Sequence, residues 1–353
     1  MINDLIALAR PEIVAMNAYR SARSETTQGH IWLDANENKA GNELYYRYPD
    51  PQPENLITHL AALYGVATTK ILLTRGSDEG IDLLVRLFCR AGQDQIMICP
   101  PTYGMYKVAA TIQGAGVVEV PLLKEENFAL NVGKICQVWQ PSIKIIFVCS
   151  PNNPTGNLLD VSDILTLCKT LTSKSIVVLD EAYIEFSLRE SLITYLDDYP
   201  NLVVLRTLSK AYGLAGLRCG VTLANSKIIE LLKKIIAPYP IPKPIVNIAY
   251  KQLTDTTVSN KIDIIRYERD RLFEFLSNLF FVKKIWRSDA NFLLFETSKA
   301  KKLLEICLDN GIVLRDRGSD YSLTNCIRVT IGEPSENTYL MEVLSRVEKN
   351  NFC

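Results

Sequence analysis

The sequence predicts an α/β protein: a large domain built on a mostly parallel sheet flanked by helices, and a smaller α/β C-terminal domain. Three observations carry this expectation. Between about 42 and 240, β-branched runs alternate with stretches of helical apolar spacing. Each of the later runs ends in polar residues. A proline-rich break, APYPIPKP (237–244), then precedes a change of texture to a long charged stretch and short strands and helices.

The elements follow in order. EGIDLLVRLFCRA (79–91) repeats apolar residues at helical spacing, and DQIMIC (94–99) reads as a strand. TYGMYKVAATIQGAG (102–116) is helical, and VVEVPL (117–122) is a strand. IKIIFVCS (143–150), SIVVLDEAY (175–183) and NLVVLRTLS (201–209) are β-branched runs bounded by turn signals. Loops at the C-terminal ends of such strands are where open α/β sheets bind ligands. After the proline-rich break, 246–279 reads as one long helical stretch. The expected partition is a large domain over 42–240, with 1–41 and 241–353 forming an N-terminal segment and a small domain. No internal repeat or low-complexity tract interrupts this plan.

Bulk properties narrow the function. With 353 residues, 48% of them hydrophobic, the chain can bury a sizeable core. Its 39 basic and 39 acidic side chains cancel, so no global field favours nucleic acid or an acidic membrane. No apolar run is long enough to span a bilayer, and the opening MINDLIALARPEI lacks the basic front of a signal peptide. Nine cysteines without a C-x-x-C pair suggest reduced, mostly buried thiols in a cytoplasmic protein. Two histidines, His30 and His59, exclude a His-rich metal site and make a His-based triad a poor candidate.

Four polar clusters carry the chemistry. In TRGSDEGID (74–82), Gly76 permits a tight turn, while Ser77 and Asp78 open a helix whose free N–H groups favour an anion. Alone, this would be an ordinary helix cap. SPNNPTG (150–156) is a rigid loop with the amide of Asn153, and by itself it would be a turn. VLDEAYIEF (178–186) ends an apolar strand on Asp180, a carboxylate that needs a cationic partner, with Tyr183 three residues on. TLSKAYGLAGLRCG (207–220) groups Thr207, Ser209 and Lys210, then places Arg218 among small apolar residues, where it needs an anion. No other cofactor motif competes: GAGVVE (114–119) has Glu119 where a dinucleotide fingerprint needs glycine, and no phosphate-binding G-x-x-x-x-G-K-[ST] loop occurs. Pyridoxal 5'-phosphate satisfies all four clusters. It needs a lysine for its aldehyde, an acid for its pyridine nitrogen and an anion cup for its phosphate.

SPNNPTG, DEAY and TLSKAYGLAGLRCG resemble fold-type I aminotransferases. Together with RGSDEGIDLL, CPPTYGMY, RYPDPQP and LRDR, they make nearly the whole chain similar to the histidinol-phosphate aminotransferase family. That resemblance implies a role for each matching residue. Lys210 takes the cofactor's aldehyde and shuttles the proton at the substrate Cα. Asp180 keeps the pyridine nitrogen protonated. Asn153 and Tyr183 bond the ring's phenolate oxygen, and Tyr103 stacks on the ring. Ser77 and Asp78 by backbone, and Thr207, Ser209 and Arg218 by side chain, hold the phosphate. Arg328 in CIRVTIG and Arg315 in IVLRDRG bind the anionic end of substrate, while Tyr19, Asn36 and Glu37 belong to N-terminal segments lining the same pocket. Tyr48 reaches the neighbouring subunit's cofactor phosphate, which implies a homodimer. The implied activity is reversible amino transfer from histidinol phosphate to 2-oxoglutarate in histidine biosynthesis. An aromatic amino-acid aminotransferase or a threonine-phosphate decarboxylase of the same fold remains open, whereas a ligand-sensing regulator built on the fold would need a DNA-binding module, and the α/β pattern begins too early to leave room for one.

Overall fold

A computed structural model describes residues 2–22, 30–42 and 45–349. Its larger sheet has seven strands: β1 (Ile71–Thr74), β2 (Gln95–Ile98), β3 (Gly116–Glu119), β4 (Ile143–Cys149), β5 (Ile176–Asp180), β6 (Leu202–Thr207) and β7 (Gly220–Ala224). Their order is β1-β7-β6-β5-β4-β2-β3. Every neighbouring pair is parallel except those made by β7, which runs against both β1 and β6. Strands β5 and β6 are buried along their whole length, because helices cover both faces of a sheet of this kind. One core layer takes Val148, Leu179 and Val204, and the opposite layer takes Phe147, Val178 and Leu205. The period-two alternation of strand side chains divides them this way.

Helices α1 (Ile2–Ala7), α2 (Pro11–Ala15), α3 (Glu54–Tyr64), α4 (Gly76–Phe88), α5 (Met105–Gln113), α6 (Val132–Val138), α7 (Val161–Thr170) and α8 (Ser226–Ile235) accompany this sheet. Local chemistry starts several of them. Asp160 and Asn225 accept the N–H groups of Ser162 and Lys227 at 2.7 and 3.0 Å. Asp78 and Glu79 lie in the first turn of α4, where the helix dipole favours acids.

The expected strands did not include β1 or β7. Both are short, and neither is bounded by a strong turn signal on both sides. The antiparallel β7 has a functional consequence: its first residue lies beside the last residues of β1 and β6, with Gly220 opposite Thr74 and Thr207. The C-terminal ends of β1, β2, β4, β5 and β6 and the start of β7 therefore share one edge.

The second sheet is antiparallel, in the order β10 (Arg315–Asp316), β11 (Cys326–Thr330), β9 (Phe292–Thr297), β8 (Val282–Trp286). It packs with α10 (Val258–Ser277), α11 (Ala300–Asp309) and α12 (Pro334–Lys349) around Leu272, Leu303, Phe295 and Leu344. The long stretch expected over 246–279 is two helices. α9 (Lys243–Leu253) is separated from α10 by four residues in which Asp255 accepts the N–H of Thr257 at 2.9 Å. Threonine and aspartate favour such local bonds over a continuous helix. Val246 and Ala249 of α9 join the core of the large sheet, so the first helix after the proline-rich break still packs on that side.

Among the described residues, eight cysteines are free and all but Cys136 are buried. No described helix is long and apolar enough to cross a membrane, and no described His/Cys/Asp/Glu group could hold a metal ion.

Candidate active site

The shared strand edge opens into a cavity of about 770 Å³. It is lined by Ser77, Asp78, Tyr103, Asn153, Asp180, Tyr183, Thr207, Ser209, Lys210, Arg218, Arg315 and Arg328, with Arg317 and Asp320 beside them. Twelve of the sixteen residues expected at the site converge here, from loops far apart in sequence.

Asp180 closes β5 and is only 3% exposed. Its Oδ2 accepts the hydroxyl of Tyr106 at 2.7 Å, and its Oδ1 accepts the N–H of Ala182 at 3.1 Å. Neither partner is a cation, and among the described residues it makes no ion pair. Burial raises its pKa to about 6, against the lowering effect of the two hydrogen bonds. Tyr106 is wholly buried and stacks on Phe147 at 4.6 Å. Sequence reasoning missed Tyr106. The available signal was a second tyrosine one turn after Tyr103, on the apolar face of α5.

Lys210 follows β6 and faces the cavity. Its Nζ lies 5.5 Å from the centroid of the Tyr183 ring, and among the described residues it makes no hydrogen bond or ion pair. Although its end reaches open space, its pKa is lowered, first by desolvation and then by the charge of Arg328, while Asp180 and Asp78 oppose the shift. An amine so placed gives up its proton more readily than a surface lysine.

Arg218 donates to Asp78 Oδ2 at 2.9 Å, and Tyr103 donates its hydroxyl to Asp78 Oδ1 at 3.0 Å. The Asp78 carboxylate thus orients two groups of the pocket, and the first-turn N–H groups of α4 remain for an anion. This corner is built on two glycines. A Cβ on Gly76, whose φ is +76°, would meet Arg218 Nη2 at 2.6 Å, and one on Gly220 would lie 2.3 Å from the Gly76 carbonyl carbon. Thr207 Oγ1 accepts the N–H of Ser209 at 3.1 Å, which turns the chain sharply before Lys210.

Arg315 and Arg328 are register partners across β10 and β11. Two cations directly opposite each other repel, so the pair is suited to an anion between them. Arg328 donates to Asn153 Oδ1 at 2.5 Å and lies over the Phe292 ring at 5.1 Å. That bond leaves the NH2 of Asn153 as the donor toward the cavity. Burial lowers the Arg328 pKa, and Tyr183 opposes the shift. Sequence reasoning did not single out Arg317 and Asp320, which form an ion pair at the cavity wall. The LRDR motif contains Arg317, but only the fold shows that it and Arg315 face the same space.

Four expected residues lie elsewhere in this chain. Glu37 is outside the cavity and accepts the N–H of Tyr48 at 2.9 Å. Tyr48 stacks on Tyr239 at 4.7 Å beside a separate cavity that also includes Trp32, Arg47 and Lys243. Tyr19 lines another small cavity with Ser21, Pro51 and Lys234. Asn36 sits at a left-handed φ of 55° and lines none of these cavities.

The donor set fits pyridoxal 5'-phosphate. A buried carboxylate lacks a cation, an amine of lowered pKa lacks an anion, and a guanidinium stands beside free helix N–H groups. These three features are complementary to the pyridinium, the aldehyde and the phosphate of one molecule.

A family model, aminotransferase class I and II, matches residues 14–344. The chain is 44% identical to the histidinol-phosphate aminotransferase of Francisella philomiragia subsp. philomiragia over 97% of this chain and 95% of that protein. It is 43% identical to histidinol-phosphate aminotransferase 1 of Haemophilus influenzae over 98% of this chain and 96% of that protein. Among solved structures, the histidinol-phosphate aminotransferase from Sinorhizobium meliloti in complex with pyridoxal-5'-phosphate superposes with a TM-score of 0.77. That match is 26% identical and covers 87% of this chain and 84% of the other.

Proposed function

The chain belongs to the class I and II aminotransferase family, and from that premise we propose that it is a histidinol-phosphate aminotransferase. It moves an amino group from histidinol phosphate to 2-oxoglutarate and yields imidazole acetol phosphate and glutamate. The observation that carries the reading is the Arg315–Arg328 pair, facing the same cavity as Asp180 and Lys210.

Pyridoxal 5'-phosphate, when bound, draws off the electron pair left at the substrate Cα. Asp180 keeps the pyridine nitrogen protonated, since a buried anion raises the pKa of an adjacent cation. The Lys210 amine would take the proton at the substrate Cα and give it back, the task its lowered pKa suits. Asn153 and Tyr183 would bond the ring's oxygen and Tyr103 would pack against the ring. Ser77, Asp78, Thr207, Ser209 and Arg218 would hold the phosphate. Arg315 and Arg328 grip the substrate anion, a phosphate in one half-reaction and a carboxylate in the other. The active unit is a homodimer in which Tyr48 serves the neighbouring subunit's site, with Tyr19 and Asn36 on the segments that close the pocket. The enzyme works in the cytoplasm, in keeping with its free, buried thiols. The large unit spans 42–240, with 1–41 and 241–353 forming the N-terminal segment and the smaller unit, and α9 packs back against the core of the large sheet.

The experiment compares half-reactions. A phosphate monoester carries close to two charges at neutral pH, against one for a carboxylate. Arg315→Ala should lower kcat/KM for histidinol phosphate about 10- to 100-fold, the loss of one charge-assisted hydrogen bond, and reduce the glutamate half-reaction less. Arg328→Ala should damage both. Equal losses for Arg315→Ala would remove the phosphate-selecting role. Faster turnover of phenylalanine than of histidinol phosphate by the native enzyme would replace this reading with an aromatic aminotransferase.

A further inference from the structure

Beneath the candidate site, on the far side of the sheet, lies a buried ionic cluster that the reaction as described does not use. Successive strand residues point to opposite faces. Asp180 and Thr207 face the cavity, so their neighbours Glu181 and Arg206 face away from it, and they are 1% and 6% exposed. Arg206 Nη2 donates to Glu185 Oε1 at 2.7 Å, and Arg206 Nη1 lies 3.6 Å from Glu181 Oε2. Glu181 also accepts the hydroxyl of Ser191 and, at 2.8 Å, the N–H of Leu192. The guanidinium lies over the ring of Tyr64, 4.9 Å from its centroid.

The placement of this cluster gives it a task. Glu181 and Glu185 bracket Tyr183 on the segment that begins with Asp180. Arg206 precedes Thr207, Ser209 and Lys210 on the next strand. One guanidinium therefore ties the segment carrying the acid to the segment carrying the amine. From the other side, Arg266 donates to the carbonyls of Glu185 and Phe186 at 2.8 and 3.1 Å, and Arg269 to that of Phe186 at 3.2 Å. A buried charge network is a poor source of net stability, and its best-attested use is to specify geometry.

We propose that Arg206, held between Glu181 and Glu185, is a positioning residue that sets Asp180 and Lys210 at their working separation. The inference rests on the reading that these two residues carry the chemistry. The fork matters as well as the charge. Arg206 meets two carboxylates through two different nitrogens, and a single ammonium on a lysine cannot reproduce both contacts.

Arg206→Lys tests this because it keeps every charge and removes only the fork. Three measurements are needed: melting of the cofactor-free protein, the pH midpoint at which the visible band of bound cofactor changes, and kcat with KM for the amino donor. The expected result is a folded protein whose midpoint is displaced and whose kcat falls about 10- to 100-fold with KM little changed, the cost of a misplacement near 1 Å. A lower melting temperature with native midpoint and native kcat would overturn the proposal and leave a merely structural role. If Arg206→Lys does not fold, Glu185→Gln decides by the same kcat criterion, since Arg206 keeps Glu181 as a partner there. Borohydride fixation in the native enzyme separates the two levels. Labelling of a lysine other than Lys210 would sink the site reading itself, and the inference with it.

Discussion

Asp180 is costly to the cofactor-free protein, and on the proposed reading its charge is balanced by the protonated ring once cofactor binds. Its carboxylate is buried without a cation, and its pKa stands at about 6 rather than the ordinary 3.8. Between those values the folded chain holds a proton that the unfolded chain has released. Stability therefore falls as pH rises through about 4 to 6, and the cost is fully present above that window. A shift of about two units corresponds to roughly 3 kcal/mol at most. Asp180→Asn should therefore make the cofactor-free protein more stable than native at pH 7.5, by up to about that amount, and leave it unchanged near pH 4. Denaturant titrations at the two pH values measure this, and a destabilised variant at pH 7.5 would contradict the burial account. With cofactor added the order should reverse, because the amide can no longer balance a protonated ring.

At the scale of elements, the site is a set of strand ends and one helix start brought to a single edge. The tightest joint is between the start of α4 and the loop before β7, where Gly76 stands against Arg218 and Gly220 against Gly76. Gly76→Ala adds a methyl where a guanidinium nitrogen already lies, at a left-handed φ that alanine disfavours. Arg218 would have to leave Asp78, and one charge-assisted phosphate contact would go with it. The expected outcome is a folded protein with cofactor affinity reduced about 10- to 100-fold. Fluorescence titration of the cofactor-free variant measures it, and native affinity would show that Arg218 does not hold the phosphate.

Across the whole molecule, two sheets meet at Tyr183. Its ring packs edge-on against Phe292 of β9 at 5.2 Å, and Phe292 in turn lies under Arg328. Arg315 and Arg328 of one sheet, proposed to bind substrate, are thereby set against the residues of the other proposed to hold the cofactor. Tyr48, half-exposed and outside the cavity of its own chain, bears on assembly. Mixing an inactive Lys210→Ala protein with an inactive Tyr48→Ala protein should restore activity, since each mixed dimer then has one intact site. Full subunit exchange should give about a quarter of native activity, as half the dimers are mixed and half their sites intact. No recovery after verified exchange would place the complete site within one chain.

The sequence by itself determined the alternating fold, the strand that ends on Asp180, and most of the polar residues that gather at the cavity. Those features depend on local periodicity and on residue chemistry at a few positions, both of which survive in one dimension. Tertiary structure alone decided the rest. It brought β7 in backwards beside β1, because a short apolar strand does not announce its direction. It gave Asp180 the hydroxyl of Tyr106, seventy-four residues away, and paired Arg315 with Arg328 through strand register. It also turned Arg206 and Glu181 toward each other beneath the site. A charged residue in an apolar strand signals that a partner exists, but the partner is chosen by which strands lie side by side, and that is settled only when the sheet closes.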